Sequence, residues 1–425
     1  METFKALGVD PFFTGRLAER NIRTPTEIQK QVIPFLAAGE PVIFRSATGT
    51  GKTFAYLLPL LQQLLAGEHA GGREPGGGFG EHAGKSGGLR MLICAPTYEL
   101  CSQIKSEADF LLTGAAESAA GAAAELRRLP VPLKISLLIG SAAMNRQIET
   151  LRKEKPAVVV GNPGRVLALA RLGKLKLGGL KILVLDEGDR LTADELRGET
   201  EELVKLLGPA RSRDGCLMTA CSATLSPKSR ERLLGLFGGL SSAASPRIIE
   251  TEEQEILRDR IEHWAIFSEG RRKIQSLRSL LAAVQPKKAL IFSGRGGQPG
   301  IIVSRLQYHH ISAAGLYGDM DKKKRKEAID GFRSGKIAAL VSSDLAARGL
   351  DIPGITHVIA LDVPADEGPY IHRAGRTGRA GKRGIMITIG DAEEMRRLVR
   401  LEKKLGIVIH PRELYGGKIY NIREE

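Results

Sequence analysis

"PVIFRSATGTGKTFAYLLPLLQQLL", residues 41–65, joins a short apolar run to a longer one through a turn of glycine, threonine and lysine. The first run is short and β-rich, and the second is long enough for a helix, so the stretch reads strand, turn, helix. Gly49 and Gly51 can take φ > 0 and let backbone N–H groups turn inward around an anion. Lys52 would reach the terminal phosphates of a nucleotide, and the Thr53 hydroxyl would sit on Mg²⁺. The helix that follows points its positive end at the same anion. A strict phosphate loop has glycine where Ser46 stands, so an ordinary Gly/Thr turn competes with this reading of Ser46–Thr53 taken alone.

The rest of the chain repeats the strand-and-helix alternation, which implies parallel sheets with crossover helices. Strands are expected at "VIFR", "MLICAP", "KISLLIG", "AVVVGN", "KILVLDE" and "LMTACSA", then at "HWAIF", "KALIFS", "GLYG", "AALVSS", "HVIALD" and "GIMITI". At 425 residues the chain suggests two domains, 1–240 and 261–425. The polar stretch 241–260 reads as a linker without a strand of its own. Two segments look like insertions: the glycine-dominated 66–88, expected as a surface loop, and the alanine-rich 113–128, expected to add helical turns. In open parallel sheets ligands bind beyond the carboxyl ends of the strands. "SATGTGKT", "APTYEL", "GNPGR", "DEGD" and "SAT" all fall at such ends.

Charge narrows the partner class. The net charge is +15, with 31 Lys and Arg against 25 Asp and Glu in residues 1–245 and 32 against 23 thereafter, so both halves are basic and favour a polyanion. Cys94, Cys101, Cys216 and Cys221 form no Cys-x-x-Cys pair and read as small buried side chains in a reducing compartment. No apolar stretch reaches the roughly 18 residues of a membrane span, and the amino terminus has no apolar signal core.

"ILVLDEGD" ends an apolar strand with Asp186, Glu187 and Asp189, which is costly unless cations neutralise them. Asp186 can hold Mg²⁺ opposite Thr53, and Glu187 can polarise the water that attacks a γ-phosphate. An acidic helix cap is the plainer alternative. "YIHRAGRTGRAGKRG" places Arg373, Arg376 and Arg379 at every third position after His372. Such a loop is either a nucleic-acid contact or a source of arginines for a γ-phosphate. "SAT", Ser222–Thr224, is by itself only a helix-capping turn.

Taken in order, from Phe4 to about residue 390, these motifs resemble the DEAD-box RNA helicases of helicase superfamily 2. "NIRTPTEIQ" is similar to the family's adenine motif, with Gln29 on the adenine edge and Phe4 as the upstream stacking aromatic. "SATGTGKT", from Ser46 through Ala47, Thr48, Gly49, Thr50, Gly51 and Lys52 to Thr53, resembles motif I. "PTYEL", "NPGR", "DEGD" and "SAT" resemble motifs Ia, Ib, II and III; "SSDLAARGLD" and "HRAGRTGR" resemble motifs V and VI. The resemblance implies an α/β fold of two tandem RecA-like domains, each a parallel sheet flanked by helices. It implies ATP and Mg²⁺ as cofactors. Lys52, Asp186, Glu187, Arg376 and Arg379 would be catalytic, and Asp351 would contact the ribose. Asp189, Ser222, Thr224 and His372 would couple nucleotide state to domain closure. Pro96, Thr97, Gly164, Arg165, Arg325, Ser342, Ser343 and Asp344 would lie along RNA. The expected partner is RNA, single-stranded or duplex-containing, with an accessory protein as a further candidate. The expected state is a cytoplasmic monomer with no membrane association.

Several positions depart from the family pattern. Gly188 replaces alanine and is expected to loosen its loop; Tyr98 replaces an arginine, Ser141 a glycine and Lys322 a glutamine; "FSGRGG" scarcely resembles motif IV. Outside the motifs, the basic run Lys322–Lys326 is expected as a solvated helix face capped by Asp319 and ended near Gly335. Trp264 reads as core of the second domain, and the chain is expected to finish in an amphipathic helix and a short tail. The intact catalytic set favours an RNA-stimulated ATPase with local unwinding. An ATP-gated RNA clamp is the rival in another class, and a DNA helicase of the same superfamily is a weaker third.

Overall fold

The computed structural model describes residues 2–46, 49–69, 88–113, 133–208, 215–238, 245–251, 257, 259–293, 299–317, 320–344, 352–378 and 382–422. The chain divides into two compact units, with the boundary between Thr251 and Glu252. No helix among the described residues is long and apolar enough to cross a membrane.

The first unit is built on seven parallel strands: β1 Val42–Arg45, β2 Met91–Cys94, β3 Ile135–Leu138, β4 Val158–Gly161, β5 Ile182–Asp186, β6 Leu217–Ser222 and β7 Arg247–Glu250. Their order is β3-β4-β2-β5-β6-β1-β7. Alternation along each strand splits the apolar side chains between two cores. Phe44, Ile93, Val160 and Val184 enter one, with the helices Glu27–Ala37, Lys52–His69 and Tyr98–Leu112. Ile43, Leu92, Val159 and Leu183 enter the other, with Pro163–Arg171, Arg197–Leu207 and Pro227–Gly238. Both faces are covered, which is why these strands read as continuous apolar runs.

The second unit carries β8 Ile261–Phe267, β9 Ala289–Phe292, β10 Ala313–Leu316, β11 Ala339–Ser342, β12 His357–Ala360, β13 Gly384–Gly390, β14 Ile409–Tyr415 and β15 Lys418–Asn421. The order is β10-β11-β9-β12-β13-β8-β14-β15. All pairs are parallel except the terminal β14–β15 hairpin. Alternation again makes two cores, one with Leu290, Leu340 and Val358, the other with Ile291, Val341 and Ile359.

The structure corrects several expectations. The stretch 241–260 is not strandless: β7 lies within it and pairs with β1, because Ile249 is buried against the first core. The tail is a hairpin, turning at Gly416 and Gly417 with φ of 56° and 75°. Helix Lys52–His69 runs through the first residues of the glycine-rich segment; residues 70–87 of that segment, and 114–132, lie outside the described residues. The basic helix Lys322–Ser334 is capped by Asp321, not Asp319, since the Asp321 carboxylate accepts from Lys323 N and Lys324 N. Gly335 ends it at φ 83°, as expected, and Lys323, Lys324 and Lys326 are exposed. Trp264 packs at the second unit's core with Arg412 over its ring at 5.2 Å. All four cysteines are free and buried, and burial pushes the Cys94 thiol up to about 12.

Candidate active site

Parallel register brings the motif residues of the first unit together. Arg45 pairs with Ser222, and Asp186 with Cys221, so β1, β5 and β6 end at one level. Gly49 and Gly51 take φ of 84° and 89°, the left-handed conformation that the turn into helix Lys52–His69 requires. Lys52 Nζ donates to Ser46 O at 2.5 Å. Ser46 is buried and donates from Oγ to Thr50 Oγ1 at 2.8 Å, while Thr251 donates to Ser46 Oγ at 3.0 Å. Ala47 and Thr48 lie outside the described residues.

Gln29 sits against this turn. Its Oε1 accepts from Thr26 N at 2.9 Å in a capping box, and its Nε2 donates to Gly51 O at 3.0 Å. A Cβ at position 51 would fall 2.3 Å from Nε2, so glycine is needed both for conformation and for this approach. One atom of each kind on the amide is therefore already engaged with protein. Phe4 is 3% exposed within the first core and lacks the open face that a stacked base would need.

Asp186 and Glu187 are both buried. Asp186 Oδ1 accepts from Glu187 N at 2.9 Å and from Cys221 Sγ at 3.1 Å; Oδ2 accepts from Tyr56 Oη at 2.8 Å. Burial, reinforced by the Asp186 charge, pushes the Tyr56 phenol far up, so it stays a donor. Glu187 has φ 54° and ψ 51°, a left-handed conformation that costs a non-glycine residue about 1–2 kcal/mol and is typical of functional turns. Among the described residues no group of three or more His, Cys, Asp and Glu side chains could hold a metal ion by itself. One buried carboxylate at the end of β5, with the Thr53 hydroxyl at the start of the helix that carries its partner Tyr56, does fit a hard divalent cation bound largely through water and substrate phosphates.

Asp189 accepts a short hydrogen bond from the Thr224 hydroxyl, and Ser222 donates to Thr224 O at 2.6 Å. Ser46 N in turn donates to Ser222 O at 3.1 Å, so "DEGD", "SAT" and the glycine turn form one hydrogen-bonded set. At Gly188 the space of the missing methyl is taken up by Leu233, whose Cδ2 would lie 3.1 Å from a Cβ there.

Elsewhere in this unit, Thr97 caps helix Tyr98–Leu112, accepting from Leu100 N at 3.3 Å; Pro96 is half-buried and Tyr98 is 45% exposed. Gly164 and Arg165 lie in the first turn of helix Pro163–Arg171, and Arg165 donates to Gly140 O at 2.6 Å.

In the second unit Arg373 is 2% exposed and forms a fork on Asp344, with both bonds at 2.6 Å, while its Nη2 reaches Asp362 Oδ2 at 3.1 Å. The Asp344 carboxylate is thus committed to Arg373. Ser342 is buried and donates to Ser343 O at 3.0 Å. Arg376 is buried, His372 half-buried, and Arg325 lies in the first turn of Lys322–Ser334. Asp351 and Arg379 lie outside the described residues, as does the Lys322 side chain. Tyr56, Cys221, Thr251 and Asp362 were not expected at these sites. Only Tyr56 gave a sequence signal, lying one helical turn beyond Thr53.

A family model described as DEAD/DEAH box helicase matches residues 26–233, and one described as helicase conserved C-terminal domain matches 272–381. The chain is 33% identical over 409 residues to the DEAD-box ATP-dependent RNA helicase CshC of Bacillus cereus, across 96% of this chain and 93% of that protein. It belongs to the DEAD-box ATP-dependent RNA helicase family. A second relative, the probable ATP-dependent RNA helicase YfmL of Bacillus subtilis, is 31% identical over 395 residues, across 93% of this chain and 92% of that one. The structure of S. cerevisiae Dbp5 bound to RNA and ADP BeF3 superposes with a TM-score of 0.78 at 23% identity, covering 97% of this chain and 96% of that one. Mss116p bound to ssRNA and AMP-PNP gives 0.79 at 23% identity, covering 99% and 80%. These two likenesses show the fold: this DEAD-box protein consists of two RecA-like α/β units.

Proposed function

We propose that this DEAD-box protein is an RNA-stimulated ATPase that unwinds or remodels RNA locally and non-processively, using ATP with Mg²⁺. One observation carries the reading: Lys52, Asp186, Glu187, Asp189, Ser222 and Thr224 converge at the carboxyl ends of three adjacent parallel strands. The glycine turn and Lys52 would hold the phosphates, and Thr53 with Asp186 would hold Mg²⁺, which offsets charge on the transferring phosphoryl group. Glu187 would orient and polarise the attacking water. Arg376 and Arg379 would stabilise charge on the γ-phosphate, and Asp351 would contact the ribose. Gln29 would meet adenine with the N–H and lone pair left by its bonds to Gly51 and Thr26. Asp189, Ser222, Thr224 and His372 would couple that site to closure.

RNA is supported as partner by the net charge of +15 and by relatives named as RNA helicases. Pro96, Thr97, Gly164, Arg165, Arg325, Ser342 and Ser343 would lie along the strand, with Asp344 acting through Arg373. We read the protein as a cytoplasmic monomer, with an accessory protein as a further partner. ATP turnover measured with and without single-stranded RNA tests the reading. RNA should stimulate the wild type, and Glu187→Gln should lower turnover by about 10² or more while ATP and RNA affinities stay within a few-fold. Normal turnover in Glu187→Gln, or no response to RNA in the wild type, would overturn it.

A further inference from the structure

Tyr56 is fully buried, yet its phenol is spent on the predicted metal site rather than on packing alone. It lies one turn beyond Thr53 on helix Lys52–His69, so both side chains share a helix face. Its hydroxyl donates to Asp186 Oδ2 at 2.8 Å. The phenol therefore holds one of the two side chains expected to bind the cation and lies on the helix that carries the other. From β6, the equally buried Cys221 donates to the other oxygen, Oδ1, at 3.1 Å.

We propose that Tyr56 and Cys221 are positioning residues that set the divalent-metal affinity of the nucleotide site by fixing the Asp186 carboxylate. A carboxylate offers about four lone-pair directions. Tyr56, Cys221 and Glu187 N take three, which leaves one, on Oδ2, for the cation or one of its waters. A carboxylate held at three points cannot rotate away between metal-free and metal-bound states, so its orientation need not be fixed again when the cation arrives. A phenylalanine at position 56 would fill the same apolar pocket and remove only this constraint.

The proposal rests on the ATPase reading, and its test separates the two. Binding of fluorescent ADP to the full chain would be measured in EDTA and across a Mg²⁺ titration. Mn²⁺ binding to the ADP complex would be followed in parallel by electron paramagnetic resonance. Tyr56→Phe should leave ADP affinity in EDTA within about twofold and raise the half-saturating Mg²⁺ and Mn²⁺ concentrations about tenfold, the scale of one hydrogen bond to a charged group. Cys221→Ala should raise them several-fold, and Cys221→Ser, which restores a donor, should return them toward wild type. An unchanged metal titration in Tyr56→Phe overturns the proposal. So does an equal loss of ADP affinity with and without metal, which would mark a merely structural tyrosine. Failure of the wild type to bind ADP in either condition would overturn the site reading and the proposal with it.

Discussion

Gln29 shows how much one side chain can be asked to do. Its carbonyl oxygen caps helix Glu27–Ala37 and its amide nitrogen holds the Gly51 carbonyl, so it fixes the approach to Lys52 before any nucleotide arrives. Gln29→Glu keeps the acceptor for Thr26 N and replaces the donor to Gly51 with a second negative oxygen facing a carbonyl. ATP affinity should fall about tenfold or more and the melting temperature by several degrees, since a buried polar partner lost without replacement costs about 1–3 kcal/mol. Unaltered ATP binding with an intact fold would remove Gln29 from the site. At this scale the motif residues were legible because phosphate chemistry restricts them to glycine, lysine, threonine and carboxylates. Their supports were not. Cys221 sits in an apolar run, where the pattern marks core and is silent about a thiol aimed at Asp186; for Tyr56 only its place one turn beyond Thr53 pointed to the site. The position of Phe4 upstream of Gln29 suits a base-stacking ring, but its ring packs in the first core.

Elements were legible where both faces of a strand are covered, as in "ILVLD" and "ALIF", whose every residue is buried. The strands that escaped are poorly buried: β7 at the edge of the first sheet, and the β14–β15 pair that ends the second. Only Ile249 is buried in β7, and no residue of β14 is buried. A further feature of this kind is His263 on β8, which joins three elements. Its Nε2 donates to Leu257 O at 3.0 Å, and its Nδ1 accepts from Tyr370 Oη at 2.9 Å, on the helix that carries His372 and Arg373. Burial, with His410 adding a like-charge effect, pulls this imidazole from 6.5 down to about 4. The folded protein therefore resists a proton that the unfolded chain accepts. Its contribution to stability is fully present above pH 6.5 and is lost as pH falls toward 4, by about 3 kcal/mol if the full shift is realised. Chemical denaturation of the full chain at pH 7 and pH 4.5 should show the second unit weakening at the lower pH. His263→Gln should be less stable at pH 7 and flatter between the two. A variant with the wild-type slope would assign the acid sensitivity to other groups.

For the whole molecule, where the chain is divided decides what each part can do. Sequence composition placed the break in 241–260, but β7 and Thr251 belong to the first unit: Ile249 is core, and the Thr251 hydroxyl donates to Ser46 in the glycine turn. A fragment ending at 240 would strip the strand beside β1 and expose Phe44 and its neighbours at a raw sheet edge. A fragment of residues 1–251 should unfold cooperatively and bind ATP, whereas 1–240 should be less stable by several kcal/mol and bind ATP more weakly. Residues 252–425 have a sheet with a core on each face and should also fold alone. Neither 1–251 nor 252–425 should hydrolyse ATP in response to RNA. The first holds Lys52, Asp186 and Glu187 but no arginine from the "HRAGRTGR" loop, and loss of such an arginine costs roughly 10³ to 10⁵ in rate. Arg379→Ala in the full chain should match 1–251 in its hydrolysis rate and keep RNA affinity within a few-fold, since one charge is a small part of a contact spread over many phosphates. Both would be measured side by side at one salt concentration. RNA-stimulated turnover by 1–251 alone, or loss of RNA binding with an unchanged hydrolysis rate in Arg379→Ala, would make that loop an RNA contact and leave the γ-phosphate to the first unit.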